Sequence, residues 1–246
     1  VAVAGTDRTR PVIQASEYGK AMGQLSLAWD TRTDSLASVS GTTFRLEGAF
    51  APDAAIAAKV AEYVKQADVI GAEPVGMISG DILRGGTPTG SDRGVESSMG
   101  NWVADVYLWA TSQNPAYAGT TAQIALMNPG GLRADLLKGD DGVVTYKEAA
   151  LVQPFANTLV TVTLTGEQIR EILNEQWKAE GERPKLHLGV SDGFAYEYTE
   201  AAPLPGETVG RSGEITSMTY RGEQIEPTDV FTVVTNSFLA EIGRAS

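Results

Sequence analysis

A largely apolar run of strand length, Ala122 to Met127, breaks off into Asn128-Pro-Gly-Gly-Leu-Arg133. A strand at this place commits the chain to a sheet whose carboxyl edge carries a polar loop, and that edge is a common location for a ligand. Glycines at 130 and 131 let the backbone turn tightly and come close to a bound group. Arg133 offers a planar fork of donors to a phosphate or carboxylate, and Asn128 adds an amide at the strand end. Taken alone, Asn-Pro-Gly-Gly also suits a generic turn.

The segments around this junction alternate between strand and helix patterns. Pro11 to Ala15, Gly23 to Asp30 and Leu36 to Thr43 read as three strands of a meander, with turns at Tyr18-Gly19-Lys20 and Asp34-Ser35. Pro52 opens a helix with Ile56, Val60, Tyr63 and Val64 on one stripe. A second helix is expected from Glu96 to Ser112 with Trp102, Val103, Val106, Trp109 and Ala110 inward, and a short one from Tyr146 to Val152. Thr158 to Leu164 alternates as a half-buried strand. Thr165-Gly-Glu-Gln168 matches a capping box ahead of a helix carrying Ile169, Ile172, Leu173 and Trp177 on one face. Phe194 to Tyr198, Ile215 to Arg221 and Val230 to Thr235 complete the strands. This mixed order predicts an α+β layered domain rather than a regular βαβ series.

Composition narrows the chemistry. The 246 residues carry a formal net charge of -12 without a basic cluster, which argues against nucleic acid as a partner. No stretch approaches the ~20 consecutive apolar residues that cross a bilayer, and Val1-Ala-Val-Ala-Gly5 lacks the charged and apolar regions of a signal peptide. The chain has one histidine, His187, and no cysteine. Metal-assisted phosphate ester cleavage draws on several His and Asp ligands, so no cofactor or metal pair is expected on this chain. His187, in Lys185-Leu-His-Leu, reads as a structural or exposed residue of a strand, and Asp140-Asp141-Gly142 as a solvated turn without calcium-loop spacing.

Further candidates for ligand contact are an aromatic ring, Phe155, in the loop Gln153-Pro-Phe-Ala-Asn157, and the arginines flanking Gly85-Gly-Thr-Pro-Thr-Gly90. A ring in a loop is either tucked into the core or kept for stacking. Of the arginines, Arg84 and Arg93, the second lies beside a helix start that itself favours anions.

Five segments occur in order: Arg93-Gly-Val-Glu-Ser-Ser-Met-Gly-Asn-Trp-Val-Ala-Asp105, Leu126-Met-Asn-Pro-Gly-Gly-Leu-Arg133, Val144-Thr-Tyr-Lys-Glu148, Gln153-Pro-Phe-Ala-Asn157 and Leu164-Thr-Gly-Glu-Gln168. Together they resemble the C-terminal substrate-binding domain of the 5'-nucleotidase family, over about Asp68 to Ala240. Arg10 to Lys20 looks like the closing strands of that family's N-terminal metallophosphoesterase domain. The resemblance implies a layered α/β/β/α-type sandwich over residues 68–246, a linker helix over 49–67, and remnant strands over 1–48. It implies that Arg93 and Arg133 bind phosphate beside Asn128, Gly130 and Gly131. Phe155 then stacks on the base with Asn157 hydrogen-bonding nearby, and Phe238 supplies a second ring.

The family usually continues after Phe-Leu-Ala with Gly-Gly-Asp-Gly-Phe, where this chain reads Glu241-Ile-Gly-Arg-Ala-Ser246. The function implied is nucleotide recognition in an exported phosphohydrolase of nucleotide catabolism, secreted, periplasmic or on the cell surface. Its divalent metal pair sits in the missing N-terminal domain, so the isolated chain is expected to be inactive. The alternatives are a non-catalytic extracellular binding module that kept the fold, or the same domain in a UDP-sugar or cyclic-nucleotide hydrolase.

Overall fold

The computed structural model describes residues 10–242. The chain divides into two compact units, Val1–Gln66 and Ala67–Ser246.

In the first unit β1 (Ala21–Asp30) and β2 (Ser35–Arg45) form an antiparallel hairpin. Pro11 to Ala15 is not the third strand that its composition predicts. Ser16 and Tyr18 take φ of 56° and 52°, which breaks the extended path before β1, and Ile13 and Ala15 instead lie against Gly23. Helix α1 (Ala54–Gly71) starts where expected, because the Asp53 carboxylate accepts from Ala55 N and Ile56 N at 3.0 Å each. Its stripe of Ile56, Val60, Tyr63 and Val64 is exposed, as are Leu25, Leu27 and Trp29 of the hairpin.

In the second unit β3 (Pro74–Met77) precedes α2 (Ser98–Ser112), followed by β4 (Ile124–Met127), β5 (Val143–Thr145) and α3 (Tyr146–Val152). Next come β6 (Leu159–Thr165), α4 (Gly166–Asn174), β7 (Gly189–Val190), β8 (Phe194–Glu200), β9 (Gly213–Tyr220), β10 (Glu223–Gln224), β11 (Val230–Asn236) and α5 (Ser237–Ile242). The central sheet runs β6-β11-β4-β7, with β11 parallel to β4 and antiparallel to β6. A second, antiparallel sheet runs β10-β9-β8, and β3 pairs with β5.

Side chains alternate across the central sheet as the pleat requires. Ala125, Met127 and Val234 meet Met99, Val103 and Tyr107 of α2 on one face. Ile124, Leu126, Phe231 and Val233 meet α4 and the second sheet on the other, through Ile169, Leu173, Ile215 and Met218. The result is the layered α+β domain expected from the sequence, with helix, sheet, then sheet and helix.

Two local expectations change. The inward face of α2 is Met99, Gly100, Val103, Ala104 and Tyr107, whereas Trp102 and Trp109 are 38% and 51% exposed. The phase is set by the close approach of Gly100 to Gly189 of β7, a contact that only small residues allow. Trp177 lies beyond the end of α4 and forms an isolated bridge with Lys185.

Candidate functional site

The central sheet brings most of the singled-out residues to one edge. β4 and β11 are parallel, so their carboxyl ends lie together, and the antiparallel β6 enters at the same edge. β4 delivers Asn128 and a single 3-10 turn, Pro129–Gly131. β11 delivers Asn236 and α5 with Phe238, while Phe155 and Asn157 lie on the loop leading into β6. The last two segments are tied together: Ser237 N donates to Thr158 O at 2.8 Å, and Thr158 N to Ser237 Oγ at 3.3 Å.

The amide of Asn128 is oriented by a chain of bonds. Leu239 N donates to Asn236 Oδ1 at 2.9 Å, which fixes the Asn236 amide, and Asn236 Nδ2 then donates to Asn128 Oδ1 at 2.9 Å. Asn128 Nδ2 is left on the opposite side, toward Gly130. A methyl group built on Gly130 would lie 3.6 Å from both Asn128 Nδ2 and Arg93 Nη1, so an amide donor and a guanidinium converge over bare backbone. On Gly131 it would lie 2.5 Å from Met127 Cε, so a side chain there would have to push the tip of that methionine aside.

Arg133 and Phe155 meet directly, with the guanidinium carbon 5.2 Å from the ring centroid. The loop carrying the ring is held from below: Arg133 N donates to Val152 O at 2.8 Å, and Gln153 Nε2 to Tyr107 Oη at 2.6 Å. Phe155 is 46% exposed, and Phe238 on α5 is 40% exposed. Asn157 is exposed on the same loop.

Among the described residues no carboxylate forms an ion pair with Arg93 or Arg133. Arg84, by contrast, is committed to Asp135. Its Nε lies 3.1 Å from Asp135 Oδ1, and its own N–H donates there at 2.7 Å. Burial raises the Asp135 carboxyl, but the Arg84 donors and the Thr89 hydroxyl outweigh it and bring it down to about 2. The Arg93 guanidinium is disfavoured by partial burial first and then by Arg183, Arg133 and Arg84 around it. Arg93 and Arg133, without an ion-pair partner among the described residues, are chemically suited to receive an anion.

His187 belongs elsewhere. It is buried, with Nδ1 3.0 Å from Leu188 O and Nε2 3.3 Å from Tyr196 Oη. Burial, then Lys185, pushes it below the usual histidine range, so the ring is neutral at pH 7. It lines a cavity of about 590 Å³ with Glu96, Asp105, Asp192 and Tyr196, and none of Arg93, Asn128, Arg133, Phe155, Asn157 and Phe238 borders that cavity. Several of its polar groups are already spent, Glu96 on Asn101 at 2.7 Å and Asp105 on Asp192 N at 2.6 Å. Asp141 is likewise occupied with its own turn, accepting from Val143 N at 3.0 Å.

Asn236, Tyr107 and Gln153 position the edge and were not singled out as site residues from the sequence. An Asn closing the last apolar strand immediately before Ser237-Phe238 is the local signal for the first. Nothing local marks Tyr107.

A layered α+β domain with an amide, unpaired guanidiniums and an open ring at its strand ends is of the class that holds a ligand at a sheet edge. Residues 59–244 match the family described as 5'-nucleotidase, C-terminal domain, and the chain belongs to that family. It is 28% identical over 232 residues to Endonuclease YhcR of Bacillus subtilis, covering 93% of this chain and 16% of that protein. It is 26% identical over 240 residues to a 5'-nucleotidase of Diplobatis ommata, covering 96% of this chain and 40% of that protein. The crystal structure of a 5'-nucleotidase precursor from Thermus thermophilus superposes with a TM-score of 0.60 at 27% identity, over 95% of this chain and 43% of that one. The chain thus spans less than half the length of these relatives.

Proposed function

We propose that this chain is the nucleotide-recognition part of a 5'-nucleotidase-type phosphohydrolase acting in nucleotide catabolism. The carrying observation is the convergence of Arg93 and Asn128 Nδ2 over Gly130, with Arg133 against the exposed ring of Phe155. In this reading Arg93, Arg133, Asn128 and the bare backbone at Gly130 and Gly131 hold the phosphate. Phe155 and Phe238 take the base and Asn157 contacts it, and two stacking rings supply ~1 to 3 kcal/mol each.

The divalent metal pair that activates water in such enzymes is assigned to a further, N-terminal domain. Among the described residues the donors for it are few: His187, the one histidine of the sequence, is buried with both ring nitrogens engaged. Among the described residues no group of three or more His, Cys, Asp or Glu is placed to hold a metal ion. The first unit supports the same division of labour. Its hairpin and the helix stripe expose Leu27, Trp29, Ile56 and Tyr63, and a two-stranded sheet has no stable core of its own. On this reading residues 1–48 are closing strands of the catalytic domain and 49–67 the linker. Export or surface location belongs to this reading and is supported by relatives described as a precursor and as a cell wall protein; among the described residues no helix is long and apolar enough to cross a membrane. The departure from the family pattern falls on Glu241 to Ser246, of which residues 243–246 lie outside the described residues.

Calorimetric titration tests the assignment. AMP is expected to bind, and Phe155→Ala to weaken both AMP and adenosine by roughly tenfold, the value of one base stack. AMP turnover with zinc or manganese should be nil. An unchanged adenosine affinity in Phe155→Ala would remove the stacking role, and no response to either ligand would favour a binding module that kept the fold alone. Cleavage by the purified chain would contradict the division of labour.

A further inference from the structure

The cavity of about 590 Å³ beside His187 has no part in the strand-end site, and its wall is rich in hydrogen-bond acceptors. β8 contributes Tyr196 and Tyr198, whose ring centroids stand 6.0 Å apart. Glu96 comes from the residues just before α2, Asp105 from α2 itself and Asp192 from the turn into β8.

At its buried end the wall is short of donors. Leu188 O can only accept, so His187 carries its proton on Nδ1 and Nε2 is a bare acceptor. The single phenol proton of Tyr196 therefore faces two acceptors at 3.3 Å, His187 Nε2 and Gln176 Oε1, and both side chains are buried. Among the described residues no group donates to the Tyr196 oxygen in return. Burial chiefly raises the Tyr196 phenol and Glu96 raises it further, so the Glu96 charge is felt at this end.

Asp105 stands about two turns along α2 from the Glu96 end, roughly 10 Å at 1.5 Å per residue, and its Oδ1 accepts from Asp192 N at 2.6 Å. A carboxylate that accepts such a bond keeps its charge, as Glu96 does with Asn101 Nδ2 at 2.7 Å. Against these three charges, Arg221 is the one cationic side chain of the wall among the described residues, and its guanidinium carbon lies 5.2 Å from the Tyr220 ring centroid. Lys185 lies 3.8 Å from the Tyr198 centroid but is balanced by Glu200 at 3.0 Å, and that ring remains exposed. The carboxylates are too spread for one metal ion, since among the described residues no three His, Cys, Asp or Glu are placed to hold one.

We infer that this cavity is a second ligand site, which takes a linear organic dication with an ammonium group at each end. One ammonium is held by Glu96 and the Tyr196 oxygen, the other by Asp105 and Asp192, and the tyrosine rings line the alkyl stem between them. The inference is independent of the nucleotide reading, because the residues assigned to phosphate and base do not border the cavity.

The test is calorimetric titration of the whole chain with 1,4-diaminobutane and with butylamine. The second charge-assisted contact predicts that the diamine binds roughly tenfold tighter than the monoamine. Glu96→Gln and Asp105→Asn keep an acceptor oxygen for Asn101 and for Asp192 N, so the circular dichroism spectrum should not change. Each should nevertheless cut the preference for the diamine to below about threefold. Glu167→Gln on α4, outside the cavity, should leave it intact. Absence of binding, equal affinity for the two amines, or a loss in Glu167→Gln as large as in Glu96→Gln would overturn the site, the last two pointing to general attraction by a chain of net charge -12. Displacement of the diamine by magnesium at equal concentration would overturn it as well.

Discussion

Replacing Arg93 and Arg133 together by Gln is expected to weaken AMP binding by about 100-fold, from two charge-assisted contacts of ~1.5 kcal/mol each, while adenosine affinity stays within about twofold. The discrimination follows from where the groups stand. Arg93 Nη1 and Asn128 Nδ2 converge over Gly130, away from the exposed face of Phe155, so a neutral nucleoside can use the ring without the guanidiniums. Arg133 is the partial exception, since it lies 5.2 Å from that ring. Arg133→Gln alone should therefore touch adenosine slightly, and Arg93→Gln not at all. A variant that lost adenosine and AMP equally would mean that the arginines hold the loop rather than the phosphate.

Stability should move the other way. Arg93 is held against burial and against Arg183, Arg133 and Arg84, so the folded state disfavours its cation and Gln relieves that repulsion. The melting temperature of Arg93→Gln is expected to equal or exceed that of the wild type. Binding sites that carry such uncompensated charge commonly trade stability for affinity. The same local pattern answers the long-range problem set by a net charge of -12. Repulsion from scattered surface carboxylates is screened beyond ~8 Å at physiological salt, whereas contact with guanidiniums acts inside that distance.

Elements that carry their own local instructions were legible in the sequence. Tyr146–Val152 and Gly166–Asn174 begin at Thr145 and Thr165, each with a reciprocal capping box to Glu148 or Gln168, and such signals need no partner elsewhere in the chain. The apolar run ending at Asn128 declared the central strand and its loop for the same reason. What stayed hidden depends on contacts distant in sequence. The pairing of Pro74–Met77 with Val143–Thr145 involves short segments with no periodicity. The rotation of α2 that leaves Trp109 outside is decided by Gly189, far along the chain. Arg183 lies 90 residues beyond Arg93 with no motif of its own, and only the fold sets both in one cleft. Pro11 to Ala15 misled because extended composition says nothing of a hydrogen-bonding neighbour.

The fully buried Lys185 is the strongest case of such a hidden residue, and Lys185→Ala is expected to destabilise the chain by ~3 to 5 kcal/mol. Its ammonium lies 3.0 Å from Glu200 Oε2, 4.6 Å from the Trp177 ring centroid and 3.8 Å from that of Tyr198. Trp177 Nε1 donates to the same carboxylate oxygen at 2.8 Å, so one Glu200 oxygen joins the return of the Arg183 loop to β8. Removing the cation strips the carboxylate of its counter-charge and leaves a cavity between two rings. Lys185→Met should cost less, because its chain refills the space along the apolar stem, and Lys185→Met with Glu200→Gln less again.

Acid unfolding separates charge from packing. Burial raises the Glu200 carboxyl, but bonds from Trp177, Lys185 and Gly210 together hold it below the usual 4.5. A carboxyl depressed in the folded state contributes stability that is complete above its unfolded value and is lost as pH falls through the folded one. Lys185→Met withdraws one of the lowering contacts, so the folded carboxyl moves back toward its unfolded value and less stability should be lost on acidification than in the wild type. Lys185→Arg should keep the wild-type pH dependence if charge is what matters. A loss of stability between pH about 6 and 2 as large in Lys185→Met as in the wild type, measured by denaturant unfolding followed by circular dichroism, would show that the ammonium acts only as filler between the rings.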